Sequence, residues 1–420
     1  MARWCCLGLL LVALLLLGGL ALAPLAEARA LHAALLRSAP ADQSVLDVAP
    51  QRVELWFSEP VQTVGPSITV LNPAGKQVSS GNVSNRNGLL QVSVDARLTG
   101  TYLVVWQVIS QDTAPVSGRF VFSVHKESGR WSGVGVTGTP GLLVQVFARW
   151  LHLLGFALGF GPLAFYWWVL RPLMLPDEEA VMRRLFRLIG VGILLLLLAE
   201  PFTLLAQLVS LQAGTLFDPL IIGGILASSA GRVLAQHMGA ALLLWVLLGM
   251  ARQGSRSALP TGLILGIVLA FIDGQSDHAI STNPLWLGFL TNTLHILAMV
   301  VWVGGLTTLL VLWRLAELKG QRQEMVPIFG RLALAAVVEL SVTGIVLAIL
   351  HLNGLSALFT TGYGRALFIK SLAFLLALLL VLLSRRYANE LRKRWWAGEL
   401  VVLLGVLVLA GLVVSLPPPA

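Results

Sequence analysis

LTNTLHILAMVVWVGGL, residues 290–306, sets one imidazole, His295, in an apolar run that closes on a glycine pair. A run of this length with so little charge is a membrane-spanning helix, and an ionisable side chain inside one is expensive enough to mark a functional position. The composition agrees, since 57% of residues are hydrophobic and only 12% charged, against roughly 25% charged in soluble domains. Mean hydropathy is +0.83.

Working outward from His295, eight apolar stretches follow Pro140, at about 142–170, 185–210, 229–251, 258–274, 288–313, 330–352, 364–384 and 399–416. Each is near the ~20 residues that span a bilayer. The loops between them are unequal. Arg171, Arg183, Arg184, Arg252, Arg256, Arg314, Lys319, Arg322, Arg385, Arg386, Arg392, Lys393 and Arg394 follow the odd-numbered stretches, while 211–228, 273–287 and 351–363 hold no Lys or Arg. The positive-inside rule therefore puts the basic loops in the cytoplasm and the C-terminus outside. The net charge of +9 is then a topology signal, not a nucleic-acid footprint.

Ahead of the bundle, residues 1–30 read as a signal peptide: Arg3, an apolar stretch, then ARA at 28–30. Residues 31–125 alternate with period two between Pro, Gly and Asn turns, as in RVELWFS and TYLVVWQVIS. The second segment is apolar on both faces, which suits a central strand of an exported Ig-like β-sandwich. Residues 126–141 form a Gly and Ser rich linker to the membrane domain, 142–420. Both cysteines, Cys5 and Cys6, precede the mature chain, so metal chemistry falls to His, Met and carboxylates.

The bundle also repeats. LHLLGFALGFGPLAFYWWVLR (151–171) lies over LHILAMVVWVGGLTTLLVLWR (294–314), pairing His152 with His295, Gly161 with Gly304 and Arg171 with Arg314. GRVLAQHMGAALLL lies over GRALFIKSLAFLLA, pairing Gly231 with Gly364, Arg232 with Arg365 and His237 with Lys370. A unit of four helices repeated once gives parallel halves about an axis along the membrane normal.

Orientation fixes depth. At ~1.5 Å per residue, His152 and His295 lie roughly 10–15 Å below the outer boundary, level with each other. His237 is in the same outer half, and His278 is in the outer loop after the fourth stretch. Met299 and Asn292 stand one turn either side of His295 on its face. Imidazole and thioether together suit Cu(I), and two level imidazoles also suit a b-type haem. The same residues have plainer uses: histidine as an interhelical hydrogen-bond partner, Met299 as packing, Gly304 and Gly305 for close helix approach. Glu200, Glu339, Lys370 and Glu399 are embedded ionisable groups expected to face inward and pair.

Two segments carry a family resemblance. LHAALLRSAPADQSVLDVAPQRVELWFSEPV (31–61) and GTYLVVWQVISQDTAPVSGRFVFSV (100–124) resemble the CopC copper-binding sandwich, and TLHILAMVVWVGGL, FGRLALAAVVELSVTGIVLA and TTGYGRALFIK resemble CopD, its membrane partner in bacterial copper resistance. The resemblance implies a copper protein of the cytoplasmic membrane, with Cu(II) in the exported domain and Cu(I) or Cu(II) in the bundle. Its exported ligands would be His32 and Asp112. The chain departs from CopC at DTAP, where Ala114 replaces the family's second histidine, and no methionine lies between Met1 and Met174. The metal candidates are thus His32, Asp112, His152, His237, His278, His295 and Met299. The partners expected are copper ions, membrane lipid, and a periplasmic carrier or membrane acceptor, with no nucleic acid. A haem electron carrier and a membrane-anchored copper sensor or chaperone are the alternatives. No hydrolytic constellation, nucleotide loop or zinc-protease motif stands out, so an enzyme is not expected.

Overall fold

Period-two alternation in residues 31–125 becomes eight strands among the described residues. They are β1 (Leu35–Ala39), β2 (Val45–Leu46), β3 (Arg52–Phe57), β4 (Gln62–Leu71), β5 (Ser79–Arg86), β6 (Leu89–Val94), β7 (Gly100–Ile109) and β8 (Pro115–Val124). The computed structural model describes residues 33, 35–110, 115–128, 141–174, 178–210, 219–227, 229–276, 285–313, 315, 318–352, 354–386 and 389–416. The signal segment and most of the linker lie outside these residues, as do His32, Asp112 and His278.

The strands pair as two four-stranded sheets, β1-β3-β6-β5 and β2-β8-β7-β4. One core joins their inner faces, with Val53, Leu55, Leu90 and Val92 from the first and Val104, Trp106, Phe120 and Phe122 from the second. Trp106 sits opposite Gly118 in register. A Cβ at Gly118 would collide with the indole, so the glycine makes room for the largest side chain of the core. Tyr102 stacks on Phe122, and its hydroxyl donates to Leu98 O at 2.7 Å while accepting from Leu98 N at 2.8 Å. This ties the β6–β7 connection to the sheet.

β7 is central in its sheet, between β8 and β4. Its second apolar face has a further cause. Ile109 is packed with Leu208, Ile225 and Ala230, and Ser117 Oγ donates to Ser210 O at 2.7 Å. Residues Leu204–Leu234 accordingly belong to the same compact unit as the sandwich.

The second unit, Gln145–Thr203 with Ala235–Ala420, is helical. The helices in chain order are α1 (Leu142–Phe165), α2 (Glu179–Ser210), α3 (Pro219–Ala227), α4 (Ser229–Arg252), α5 (Ala258–Ser276), α6 (Leu285–Met299), α7 (Gly305–Leu312), α8 (Arg322–His351), α9 (Ala357–Thr360), α10 (Gly362–Ser384) and α11 (Asn389–Ser415). A π-helical turn, Val300–Gly304, joins α6 to α7, and another, Tyr166–Leu170, continues α1. Among the described residues, seven helices are long and apolar enough to cross a membrane. The eighth expected span, 258–274, is helical but shorter: its apolar part is Ala258–Gly274, and Asp273 closes the run.

Two spans are more enclosed than the rest. The α1 span is 72% buried and the α6–α7 span 61%, against 33% or less elsewhere, so the helices carrying His152 and His295 form the middle of the bundle. They cross at Gly161 and Gly304, where a Cβ on either residue would strike the other helix's backbone. Such backbone approach is the usual reason for glycine between membrane helices.

Candidate metal centre

Four helices each deliver one polar side chain to a single point in the bundle. α1 supplies His152, α2 Glu200, α4 His237 and α5 Asp273. All four come from segments that are otherwise almost wholly apolar, so the helices can bury these groups only against one another. Pro201, inside α2, follows Glu200 and removes a helical hydrogen bond beside it.

The geometry is a closed quartet. His152 Nδ1 is 3.5 Å and His237 Nδ1 3.0 Å from Glu200 Oε1. On the other side, His152 Nε2 is 3.1 Å from Asp273 Oδ2 and His237 Nε2 is 2.9 Å from Asp273 Oδ1. The imidazole rings lie with centroids 4.5 Å apart. Glu200 is 2% and Asp273 6% exposed, so neither carboxylate is neutralised by bulk water. The close approach of His237 Nε2 to Asp273 lacks the alignment of a hydrogen bond, leaving that buried nitrogen without a hydrogen-bond partner.

His152, His237 and Asp273 each offer a ligand atom, and these atoms lie within 4.8 Å of one another. Ligands of one first-row ion, bound at ~2 Å, can be no more than ~4 Å apart, so the trio would have to draw slightly closer to share an ion. Glu200, facing both Nδ1 atoms, would then hold the rings in orientation. The donor set is nitrogen and oxygen with no sulfur, a choice suited to Cu(II) or Zn(II) over Cu(I).

His295 is not part of this group. Its Nδ1 lies 2.8 Å from Thr343 Oγ1, whose own hydroxyl donates to Glu339 O at 2.6 Å. Because that hydroxyl proton is committed, His295 Nδ1 is the donor, and the lone pair is on Nε2. Lys370 acts on His295 electrostatically. Met299 is buried in the apolar core, and Asn292 Nδ2 is buried without a hydrogen-bond partner. Glu399 accepts from Trp302 Nε1 at 2.9 Å, in the π-helical turn after Met299.

Of the sequence candidates, His152 and His237 come together, His295 and Met299 stand in other surroundings, and His32, Asp112 and His278 lie outside the described residues. Asp273 is the residue that reading the sequence missed. Its signal was present, an acid in the apolar run LAFIDG, but a charge near a helix end reads as the start of a loop.

Comparison with known proteins matches the chain in three pieces. The CopC domain covers residues 35–125, the copper resistance protein D-like N-terminal domain 140–286, and copper resistance protein D 323–416. The chain carries a CopC domain followed by CopD domains in one polypeptide. Copper transport protein CutJ of Bacillus subtilis (strain 168) is 28% identical over 418 residues, covering 92% of this chain and 74% of CutJ. Protein YobA of Escherichia coli (strain K12) is 31% identical over 97 residues, 22% of this chain and 78% of YobA. Among solved structures, CopC from Methylosinus trichosporium OB3b is 26% identical and covers 23% of this chain and 99% of its own, with a TM-score of 0.20. The families matched are copper resistance and transport proteins, and this member is a multi-pass membrane protein with a β domain at its N-terminal end. All four residues of the quartet lie inside the D-like N-terminal match.

Proposed function

We propose that this chain binds copper outside the cytoplasmic membrane through its sandwich and moves or delivers it through a site in the bundle formed by His152, His237 and Asp273, with Glu200 orienting the rings. The burial of two imidazoles and two carboxylates in contact, drawn from four helices, is the observation that carries this reading. The matches to CopC, CopD and CutJ support copper as the cargo. The asymmetry of Lys and Arg between loops supports an orientation with the sandwich and C-terminus outside. In that arrangement α5 is the eighth span, and the helices form two parallel halves meeting at Gly161 and Gly304.

Metal binding needs neutral imidazoles, so copper displaces protons from the quartet. Affinity therefore falls as pH falls, and proton uptake favours release. Donors that are good but not soft suit a cargo that must leave again. The haem reading needs imidazoles at an iron within a macrocycle. That reading pairs His152 with His295, and both ring nitrogens of His152 already face carboxylates while His295 Nδ1 meets Thr343 Oγ1, an arrangement that favours the metal reading of the quartet over an axial pair.

The test is copper accumulation by cells and by vesicles containing the chain with His152→Ala and His237→Ala. Accumulation should fall to the level of vesicles without the protein while the amount of protein holds. Unchanged accumulation removes the bundle site, leaving the sandwich as a tethered copper binder.

A further inference from the structure

The matched halves differ at the four positions that form the quartet. Carrying the His152–His295 register forward without a gap pairs Phe186 with Phe329, Glu200 with Thr343 and Pro201 with Gly344. The side-chain geometry agrees independently of that alignment: Nδ1 of His152 faces Glu200 at 3.5 Å, and Nδ1 of His295 faces Thr343 at 2.8 Å. The same nitrogen of the same residue meets the matched position in each half.

His237 is paired with Lys370 by the Gly-Arg that opens both helices. The Leu-Ala of LAFID (269–273) and LAGLV (409–413) sets Asp273 against Val413. Val413 is buried in an apolar cluster with Tyr363 and Ala366, the latter one turn before Lys370. His, Glu, His and Asp in the first half thus become His, Thr, Lys and Val in the second.

We infer that the second half is a metal site silenced by reversal of charge, with Lys370 as the built-in cation that keeps copper from His295. The inference rests on the metal reading of the quartet. In the first half two carboxylates face two imidazoles, a set that draws a cation in. At the matched positions of the second half neither residue is a carboxylate, and Lys370 stands in register with the imidazole of His237. Between like charges in a medium of low dielectric, repulsion is several times stronger than in water, so one ammonium suffices to exclude a divalent ion. Among the described residues, Lys370 takes part in none of the ion pairs found. His295 keeps its lone pair on Nε2 and remains a competent ligand by itself. What it lacks is company of the right sign.

Full-length protein purified in detergent and loaded with Cu(II) tests this by counting copper per chain. Thr343→Glu with Lys370→His restores the first half's residues to the second and should add one copper to the parent's count. Glu200→Thr with His237→Lys transplants the second half's residues into the first and should remove one. Because it also removes the proposed ligand His237, its loss is expected from the metal reading alone. Lys370→Met, which removes only the cation, decides the matter if the first variant does not fold. It should let copper reach His295 and raise the count, whereas a count equal to the parent's overturns the inference. A restored variant that folds and binds no more than the parent overturns the inference, and so does a transplanted variant that binds as much. His152→Ala with His237→Ala separates the two claims. If that pair leaves the parent's copper count unchanged, the metal reading of the first half is what fails.

Discussion

His152 and His295 lie on the two most enclosed spans, yet one stands between two carboxylates and the other has its Nδ1 against a threonine hydroxyl. The difference teaches that depth and sequence match locate a polar position, while its chemistry is set by the three helices around it. One half concentrates negative charge on two imidazoles. On the proposed repeat, the other carries neutral and positive groups at the corresponding positions.

The largest effect that would break this comparison is expected at Asp273. Asp273→Asn keeps the shape of the side chain and removes the charge, and copper affinity measured by competition with a chelator should fall on the order of 100-fold. A fall of less than threefold would place Asp273 outside the ligand set. Next is the crossing point. Gly304→Ala forces a methyl group against the α1 backbone and should lower stability by ~1–3 kcal/mol, read as a fall in the melting temperature in detergent. Gly239→Ala, at a glycine with open space around it, is the control and should leave the melting temperature unchanged or slightly raised.

A comparable but more local loss is expected at Glu399→Ala. It strands Trp302 Nε1 in the interior and should cost ~1–3 kcal/mol, while Glu399→Gln, which retains an acceptor, should cost less. Equal losses in the two variants would mean that charge, not hydrogen bonding, matters there. The smallest effect is expected at Thr343→Val. It removes one partner of His295, worth ~0.5–1.5 kcal/mol, and should leave copper affinity unaltered. A copper defect from Thr343→Val would erase the contrast between the halves.

Much of the architecture was legible from simple patterns. Alternation located the strands of the sandwich, and long apolar runs located the spans, because these periods report burial directly. The fourth run was the exception. Asp273 shortens it, and hydropathy alone cannot distinguish a helix that ends from one that brings a carboxylate inward. The site was legible only in part. His152 and His237 stood out as imidazoles in apolar helices, and Glu200 as an inward ionisable group. Which of them meet is a matter of helix neighbours: α1, α2, α4 and α5 converge, and nothing in a linear sequence states that His152 faces His237 and not His295. The apolar second face of β7 was likewise assigned to sheet centrality alone, whereas Ile109 also packs against Leu208, Ile225 and Ala230.

At Gly161 and Gly304 the two central helices touch through their main chains, with no side chain to compress or slide. A joint of that kind has almost no play along the helix axes but can still turn, as a pivot does. If the halves rock against each other during a transport cycle, this point stays still while the quartet, carried by the first half alone, swings around it. A bound ion would then be displaced by motion of the scaffold and not by any rearrangement of its own ligands.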